Sequence, residues 1–187
     1  MMKKILNPFR YLPLRQALCW GIAAMILTTV FMWQCGLRAT SLTQIDFGGS
    51  SLLNATLRQI AIWLVFSIVL YIGGVIFSKS KVRFIDVAAF NLFARIPFDI
   101  SLLIFAIPSI KSVMAYAIDG NLNALMTHLI PLTIIGTISS IFSVWYFFWT
   151  YKAFAESTNV KDGKGVAVFF VCFLITYIGS GFLLQLI

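Results

Sequence analysis

SKSKVRFIDVAAFNLFARIPFD, residues Ser78–Asp99, joins a basic turn to a hydrophobic segment that itself carries charged side chains. Its charged residues are Lys79, Lys81, Arg83, Asp86, Arg95 and Asp99. It also carries the polar residue Asn91. Elsewhere in the chain, charged residues and long apolar runs are kept apart. Charged groups inside a hydrophobic segment are costly unless neighbouring protein encloses them. We therefore expect the other hydrophobic segments to pack around this one.

The composition places the chain among membrane proteins. Of its 187 residues, 60% are hydrophobic and 11% are charged, whereas soluble domains have about 25% charged residues. The long apolar runs therefore predict membrane spans, and the lipid bilayer is the first expected partner. The excess of 14 Lys and Arg over 6 Asp and Glu lies mainly at the ends of these runs, where cations meet anionic headgroups. Nucleic acid is not an expected partner, because no basic patch is interleaved with exposed aromatic residues.

Hydropathy predicts an all-α, polytopic membrane bundle of five transmembrane helices behind a short basic leader. The leader, residues 1–16, has no acidic residue and two prolines, so we expect it to lie on the cytoplasmic headgroup region as an irregular segment. Residues 17–187 form the membrane domain, and its first span is expected to be retained because no cleavage site for a signal peptide follows it. The predicted spans cover residues 17–35, 59–77, 86–108, 129–149 and 165–187.

The third hydrophobic segment, residues 82–110, is too long for a straight crossing. As one helix it would extend about 43 Å, against about 30 Å of hydrocarbon. Either the true span is residues 87–107 with an interfacial start, or Pro97 breaks and kinks the segment into two half-helices. A re-entrant segment is a further alternative, although it would move the three lysines of the fourth loop outside.

Basic residues alternate between the loops and so predict the topology. The leader contains four, the second loop three and the fourth loop three, whereas the first loop contains two and the third loop one. By the positive-inside rule, the N-terminus is cytoplasmic and the C-terminus lies outside. Asp86 is expected to form a helix-end salt bridge with Arg83. The candidate cytoplasmic interface consists of Lys79, Lys81, Arg83, Asp86, Lys152, Lys161 and Lys164.

Asn91, Arg95 and Asp99 form the candidate buried polar site, since their i, i+4, i+8 spacing puts them on one helical face. Burying an arginine in a membrane costs at least about 2.5–3.5 kcal/mol, and Asp99 is its expected ion partner. The face is either an ion path, proton path or headgroup pocket, or a structural ion pair that locks the helix to its neighbours. The structural interpretation is favoured because no other predicted span offers a buried acid or base.

No motif indicates an enzyme. The chain has no HExxH, no Gly-rich phosphate loop, no GxSxG and no pair of buried carboxylates, so no catalytic residue, metal site or cofactor is predicted. Cys19, Cys35 and Cys172 lack CxxC spacing and are interpreted as small side chains in the membrane. His128 is the single histidine and is interpreted as a loop residue.

The run SKSKVRFIDVAAFNLFARIPFDI, residues 78–100, resembles the bacterial branch of the Yip-domain family, small membrane proteins of about five spans. The family pattern there is a basic turn followed by a helix that ends in an Ala-Arg-x-Pro-like motif. Residues 145–170 resemble its second hallmark, an aromatic helix end that leads through a Lys- and Ser-bearing loop into a final span beginning with Gly or Ala. With Asn7-Pro8 in the leader, the resemblance covers essentially the whole chain.

The resemblance implies a non-enzymatic protein of the bacterial inner membrane that organises the membrane or binds partners as a scaffold. It would act as a homo-oligomer or with another membrane protein. Eukaryotic members interact with Rab-type small GTPases, but the leader here is too short for an acidic GTPase-binding region, so that partner is not expected. The alternative function is a small transporter or channel that uses Asn91, Arg95 and Asp99.

Overall fold

The computed structural model describes residues 6–108, 110, 113, 116 and 126–187. Lys3 and Lys4 of the predicted leader lie outside the described residues. The same is true of Lys111 and Asp119 in the predicted third loop.

The described part of the chain contains five helical spans, as predicted, and each is long and apolar enough to cross a membrane. The outward surfaces of the helices expose many Leu, Ile, Val and Phe side chains, which is typical of contact with lipid. The chain is therefore a multi-pass, all-α membrane bundle. The spans are α1 (Leu14–Cys35), α2 (Leu52–Phe77), a composite third span of α3 (Phe84–Ala94), α4 (Ile96–Leu102) and the 3-10 turn Leu103–Ala106, then α5 (Leu129–Thr158) and α6 (Asp162–Leu184).

The composite third span lies at the centre of the bundle. In an apolar 18-residue stretch of this span, 67% of the residues are buried inside the protein, against 11–33% in the matching stretches of the other four spans. Helix α3 packs against α1, α2 and α5, and α4 packs against α1 and α5. The charged span is thus the one that the rest of the protein encloses, as its sequence predicts.

Several helix ends differ from the predicted spans. Helix α2 begins at Leu52 rather than at residue 59, because Ser51 caps it by accepting a hydrogen bond from the Asn54 N–H at 3.2 Å. Helix α5 continues to Thr158 rather than ending at residue 149, so the predicted fourth loop shrinks to residues 159–161. The start of the first span and both ends of the third and fifth spans differ from the prediction by two or three residues. Hydropathy marks the part of a helix that suits lipid, whereas capping decides where the helix ends.

The third span is interrupted at Arg95, between α3 and α4. Arg95 keeps right-handed helical dihedral angles of −74° and −17°, and its N–H donates to Leu92 O at 3.3 Å. Helical hydrogen bonding continues beyond it, since the Asp99 N–H donates to Arg95 O at 3.0 Å. This interruption alone establishes no change of axis, so the kink near Pro97 stays a prediction.

A short β-hairpin follows α1, where the sequence predicted only a polar loop. Strands β1 (Leu37–Ala39) and β2 (Ile45–Phe47) pair antiparallel, with Arg38 opposite Asp46. Gly36 turns the chain out of α1 with a φ of 68°, which glycine adopts without strain. Leu37 and Leu42 are buried in the main hydrophobic core, so the hairpin closes one end of the bundle.

Hydrogen bonds hold the hairpin to α6. The Ser41 hydroxyl donates to Tyr177 O at 2.8 Å and lies 3.0 Å from the Ser180 hydroxyl. The Leu42 N–H donates to Ser180 Oγ at 3.1 Å, and Gln44 Nε2 donates to the Tyr177 hydroxyl at 2.6 Å. These bonds fix the distance between the hairpin and the second half of α6.

Two glycines allow other helices to pack closely against α2. An added Cβ at Gly73 would lie 2.6 Å from Cys172 Sγ, and one at Gly74 would lie 2.5 Å from Thr158 Cγ2. Three glycines of α5 and α6, by contrast, have nothing within 4 Å of an added Cβ. They are Gly136, Gly179 and Gly181.

Candidate functional site

The candidate polar face is buried, and its predicted ion pair is present. Asn91, Arg95 and Asp99 are 4%, 7% and 8% exposed. Arg95 Nε lies 3.4 Å from Asp99 Oδ1. The ion partner of the arginine that the helical spacing predicted is therefore confirmed, and all three side chains are buried.

Asn91 links the third span to α2. Its Nδ2 donates to Ser67 Oγ at 3.0 Å, and Ser67 Oγ donates to Trp63 O at 2.7 Å. In the same region, Trp63 Nε1 donates to Ala88 O at 3.0 Å. Polar groups thus join α2 and α3 in both directions across an otherwise apolar interface.

The Arg95–Asp99 pair lies between α1 and α5. The Arg95 guanidinium is 5.6 Å from the centre of the Phe98 ring. The buried Tyr146 of α5 is close enough to both charges to interact with them electrostatically, and Thr28 of α1 lies beside the Asp99 carboxylate. The charges of Arg95 and Asp99 therefore compensate each other, and residues of α1 and α5 surround them.

Two acceptors on this face are buried without a hydrogen bond from any described residue: Asn91 Oδ1 and Asp99 Oδ1. The contact from Arg95 to Asp99 is an ion pair without hydrogen-bond geometry. Leaving a buried acceptor unpaired costs about 1–3 kcal/mol. These two oxygens are therefore the unsatisfied acceptors among the described residues of the candidate polar site.

A cavity of about 190 Å³ lies beside Asp99, between α1 and the third span. Thr28 and Asp99 are its polar residues, and Arg95 does not line it. Leu27 and Leu103 on its rim are 71% and 54% exposed, so it opens sideways toward lipid. Since apolar cavities hold water poorly, this geometry is that of a lipid-facing groove. Its other lining residues are Ala24, Phe31, Ile96 and Ile100.

The turn between α2 and α3 exposes Lys79, Lys81 and Arg83. The predicted Arg83–Asp86 salt bridge is wrong, because these two described side chains form no ion pair; the Asp86 N–H instead donates to Arg83 O at 3.2 Å. Asp86 is half-buried at the start of α3. The Ser80 hydroxyl reaches Thr158 O at 3.5 Å, so this turn lies beside the end of α5.

The lysines that were expected in the fourth loop lie on or next to helices: Lys152 in α5, Lys161 just before α6, and Lys164 in the first turn of α6. The Lys152 ammonium stacks 5.3 Å from the Phe148 ring and 5.5 Å from the Tyr151 ring. Lys161 Nζ lies 3.7 Å from Glu156 Oε2. The structure therefore gathers the candidate interface at one end of the bundle.

The leader is attached to that same end. Phe9 is buried against Phe90, Phe93 and Trp149, with ring centres 5.5, 5.9 and 6.0 Å away. Asn7 Nδ2 donates to Glu156 Oε1 at 3.0 Å. The sequence predicted a segment that lies on the headgroups, but it did not predict that Phe9 and Asn7 attach this segment to the bundle. The available signal was the aromatic residues that contact Phe9.

Arg58 is a buried charge that the sequence analysis missed, because it was placed at the end of a loop. It lies in α2 and is 8% exposed. Its Nε donates to Asn54 Oδ1 at 2.7 Å, and its Nη1 donates to Ala39 O at 3.2 Å. The inference that only the third span holds a buried charge is therefore wrong. The i, i+4 spacing of Asn54 and Arg58 was the available signal.

The chain matches no model of a known protein family, no curated protein and no solved structure.

Proposed function

We propose that this protein is a non-enzymatic membrane scaffold of the Yip type, which organises the membrane or binds partners through its helix surfaces. The observation that carries the proposal is the packing of the Arg95–Asp99 pair. Both side chains are more than nine-tenths buried, they face each other, and the adjoining groove opens to lipid. The two charges of the third span thus pair with each other inside the bundle. The outer surface of the helices is then the part of the protein that can contact lipid or another protein.

The proposed location is the bacterial inner membrane, with the N-terminus cytoplasmic and the C-terminus outside. Exposed cations at one end of the bundle support this orientation, because cytoplasmic loops are rich in Lys and Arg. The proposed partners are a second copy of the chain or another membrane protein. The exposed cations at this end are Arg10, Arg15, Lys79, Lys81, Arg83, Lys161 and Lys164.

Site-specific photo-crosslinking in the native membrane tests the scaffold. A photoreactive residue at Ile141 or Val144, which are 61% and 70% exposed on α5, is expected to give a discrete crosslinked product if this face binds a partner. The same residue at the buried Ile135 of α5 serves as the control and is expected to give none. A scan of exposed positions on all five spans that yields only diffuse lipid adducts would contradict the proposal.

A transporter or channel is the second candidate, and the two unpaired acceptors on the polar face support it. If it transports, flux in proteoliposomes should be lost in Asp99→Asn and kept in Asp86→Asn, which makes the same change at the half-buried start of α3. The scaffold proposal instead predicts that the unchanged protein, Asp99→Asn and Asp86→Asn all give ion, proton and lipid flux no greater than protein-free liposomes. If flux is observed and requires Asp99, the transporter or channel becomes the better-supported function and the scaffold proposal is wrong.

A further inference from the structure

A second cavity, which unlike the first is mainly polar, has a volume of about 470 Å³ and lies between the hairpin, α2 and α6. Its volume is in the range of small-molecule sites, about 300–1,000 Å³. Gly181 and Leu184 of α6 form its apolar wall, and Gly181 has open space where a side chain would otherwise project. Its polar lining consists of Arg38, Thr40, Gln44, Arg58 and Gln185.

Arg58 brings an uncompensated charge to this cavity. Its hydrogen-bond acceptors, Asn54 Oδ1 and Ala39 O, are both neutral, and no carboxylate of the described residues pairs with it. Neutral acceptors hold the guanidinium in place without cancelling its charge. They also leave part of the donor fork of this side chain available, since a guanidinium has five N–H donors.

Arg38 brings a second guanidinium close enough to repel that of Arg58. Its Nη2 lies 3.3 Å from Asp46 Oδ2. Its Nε is buried and has no hydrogen-bond partner among the described residues. Two guanidinium groups and no carboxylate therefore line the cavity, and one buried donor of Arg38 is unused. The carboxylate of Asp46 pairs with Arg38 from outside the lining. Asn54, which accepts from Arg58, also donates to Ile187 O at 2.7 Å at the end of the chain. Like charges held together in this way are stabilised by an anion.

The cavity lies at the depth of lipid headgroups. Arg58 and Phe77 are separated by about 29 Å along α2, which is close to the 30 Å or so of a bilayer's hydrocarbon core. Phe77 directly precedes the exposed cationic turn that contains Lys79. If that turn lies at one membrane surface, Arg58 lies at the other, within reach of headgroup phosphates and of solutes.

We propose that the cavity between the hairpin, α2 and α6 binds a phosphate group, carried by a lipid headgroup or by free phosphate, with Arg38 and Arg58 as its cationic ligands. Guanidinium groups match the geometry of phosphate oxygens through paired hydrogen bonds. The Thr40 hydroxyl and the Gln185 amide line the same space and can donate to further oxygens. This site is at the opposite end of α2 from the cationic turn and does not depend on the proposed scaffold function.

Two binding measurements on the full chain test the site. Inorganic phosphate is titrated onto detergent-purified protein by calorimetry. Retention of phosphatidylglycerol is measured by native mass spectrometry after purification from nanodiscs containing phosphatidylglycerol and phosphatidylcholine. Arg38→Gln is expected to weaken binding by about tenfold or more, the size expected for a hydrogen bond to a charged group. Arg83→Gln, the same charge change at an exposed residue, is expected to leave binding within about twofold.

Each outcome decides the proposal. Phosphate binding that Arg38→Gln weakens assigns the site to free phosphate, and phosphatidylglycerol retention that Arg38→Gln weakens assigns it to a lipid headgroup. Arg58→Gln should repeat the loss, but its guanidinium also bonds to the protein, so Arg38→Gln is the deciding variant if Arg58→Gln does not fold. Absence of both kinds of binding, or equal effects of Arg38→Gln and Arg83→Gln, would overturn the site.

Discussion

Arg95→Met will lower the free energy of unfolding by about 3–5 kcal/mol, because it leaves the buried Asp99 carboxyl group without a counter-ion. Methionine is close to arginine in length, so the loss will reflect charge more than a cavity. The measurement is SDS-induced unfolding in mixed micelles, followed by circular dichroism. Arg83→Met provides the matched control at an exposed turn and should change stability by about 0.5 kcal/mol or less.

The double variant Arg95→Met/Asp99→Leu will recover most of that loss. Removing one member of a buried ion pair strands the other, whereas removing both also removes the cost of desolvating them. Thr28 and Tyr146 would then pack against apolar side chains. If the double variant is no more stable than Arg95→Met, the loss in Arg95→Met does not come from an unpaired Asp99, and the mutual compensation that we assign to the pair is wrong.

Gly165→Ala will destabilise the protein by about 1–3 kcal/mol, the usual cost of overpacking. A Cβ at this position would collide with the Val160 carbonyl oxygen. That oxygen has little freedom to retreat, since Val160 is buried and its N–H donates to Thr158 Oγ1 at 3.3 Å. The preceding residue, Asn159, is already left-handed with a φ of 56°. The chain between α5 and α6 therefore has no room for even a methyl group.

Gly163→Ala is the matched control two residues away in the same helical turn. A Cβ there has nothing within 4 Å, and alanine favours a helix over glycine by about 0.5–1 kcal/mol. We expect it to be neutral or slightly stabilising in the same unfolding measurement. Equal behaviour of the two alanine variants would mean that the α5–α6 turn is not as tight as its geometry indicates.

The features that depend on local spacing could be predicted from the sequence. Five apolar runs predicted five spans, and the spacing of Arg95 and Asp99 predicted their pairing, because a helix brings residues four apart together whatever surrounds it. Enclosure of the third span followed from the cost of charge in lipid. These inferences needed no knowledge of distant contacts.

The features that depend on distant contacts could not be predicted. The hairpin has two three-residue strands, too short for an alternating pattern, and it is held by α6. Arg58 was assigned to a loop because a hydropathy profile contains no information on helix capping. The Ser51 cap starts α2 at Leu52, seven residues before the predicted start at residue 59. The cavity at Arg38 and Arg58 exists because the last helix comes to lie against the hairpin, and no local pattern encodes that approach.

The bonds between the hairpin and α6 also set an order of events during synthesis. Ser41 and Ser180 are 139 residues apart, so the ribosome makes the hairpin long before its partner exists. Until α6 has been inserted, the Ser41 hydroxyl and the Leu42 amide lack the acceptors they bond in the finished protein. The hairpin therefore cannot complete its hydrogen bonds until α6 has been synthesised and inserted.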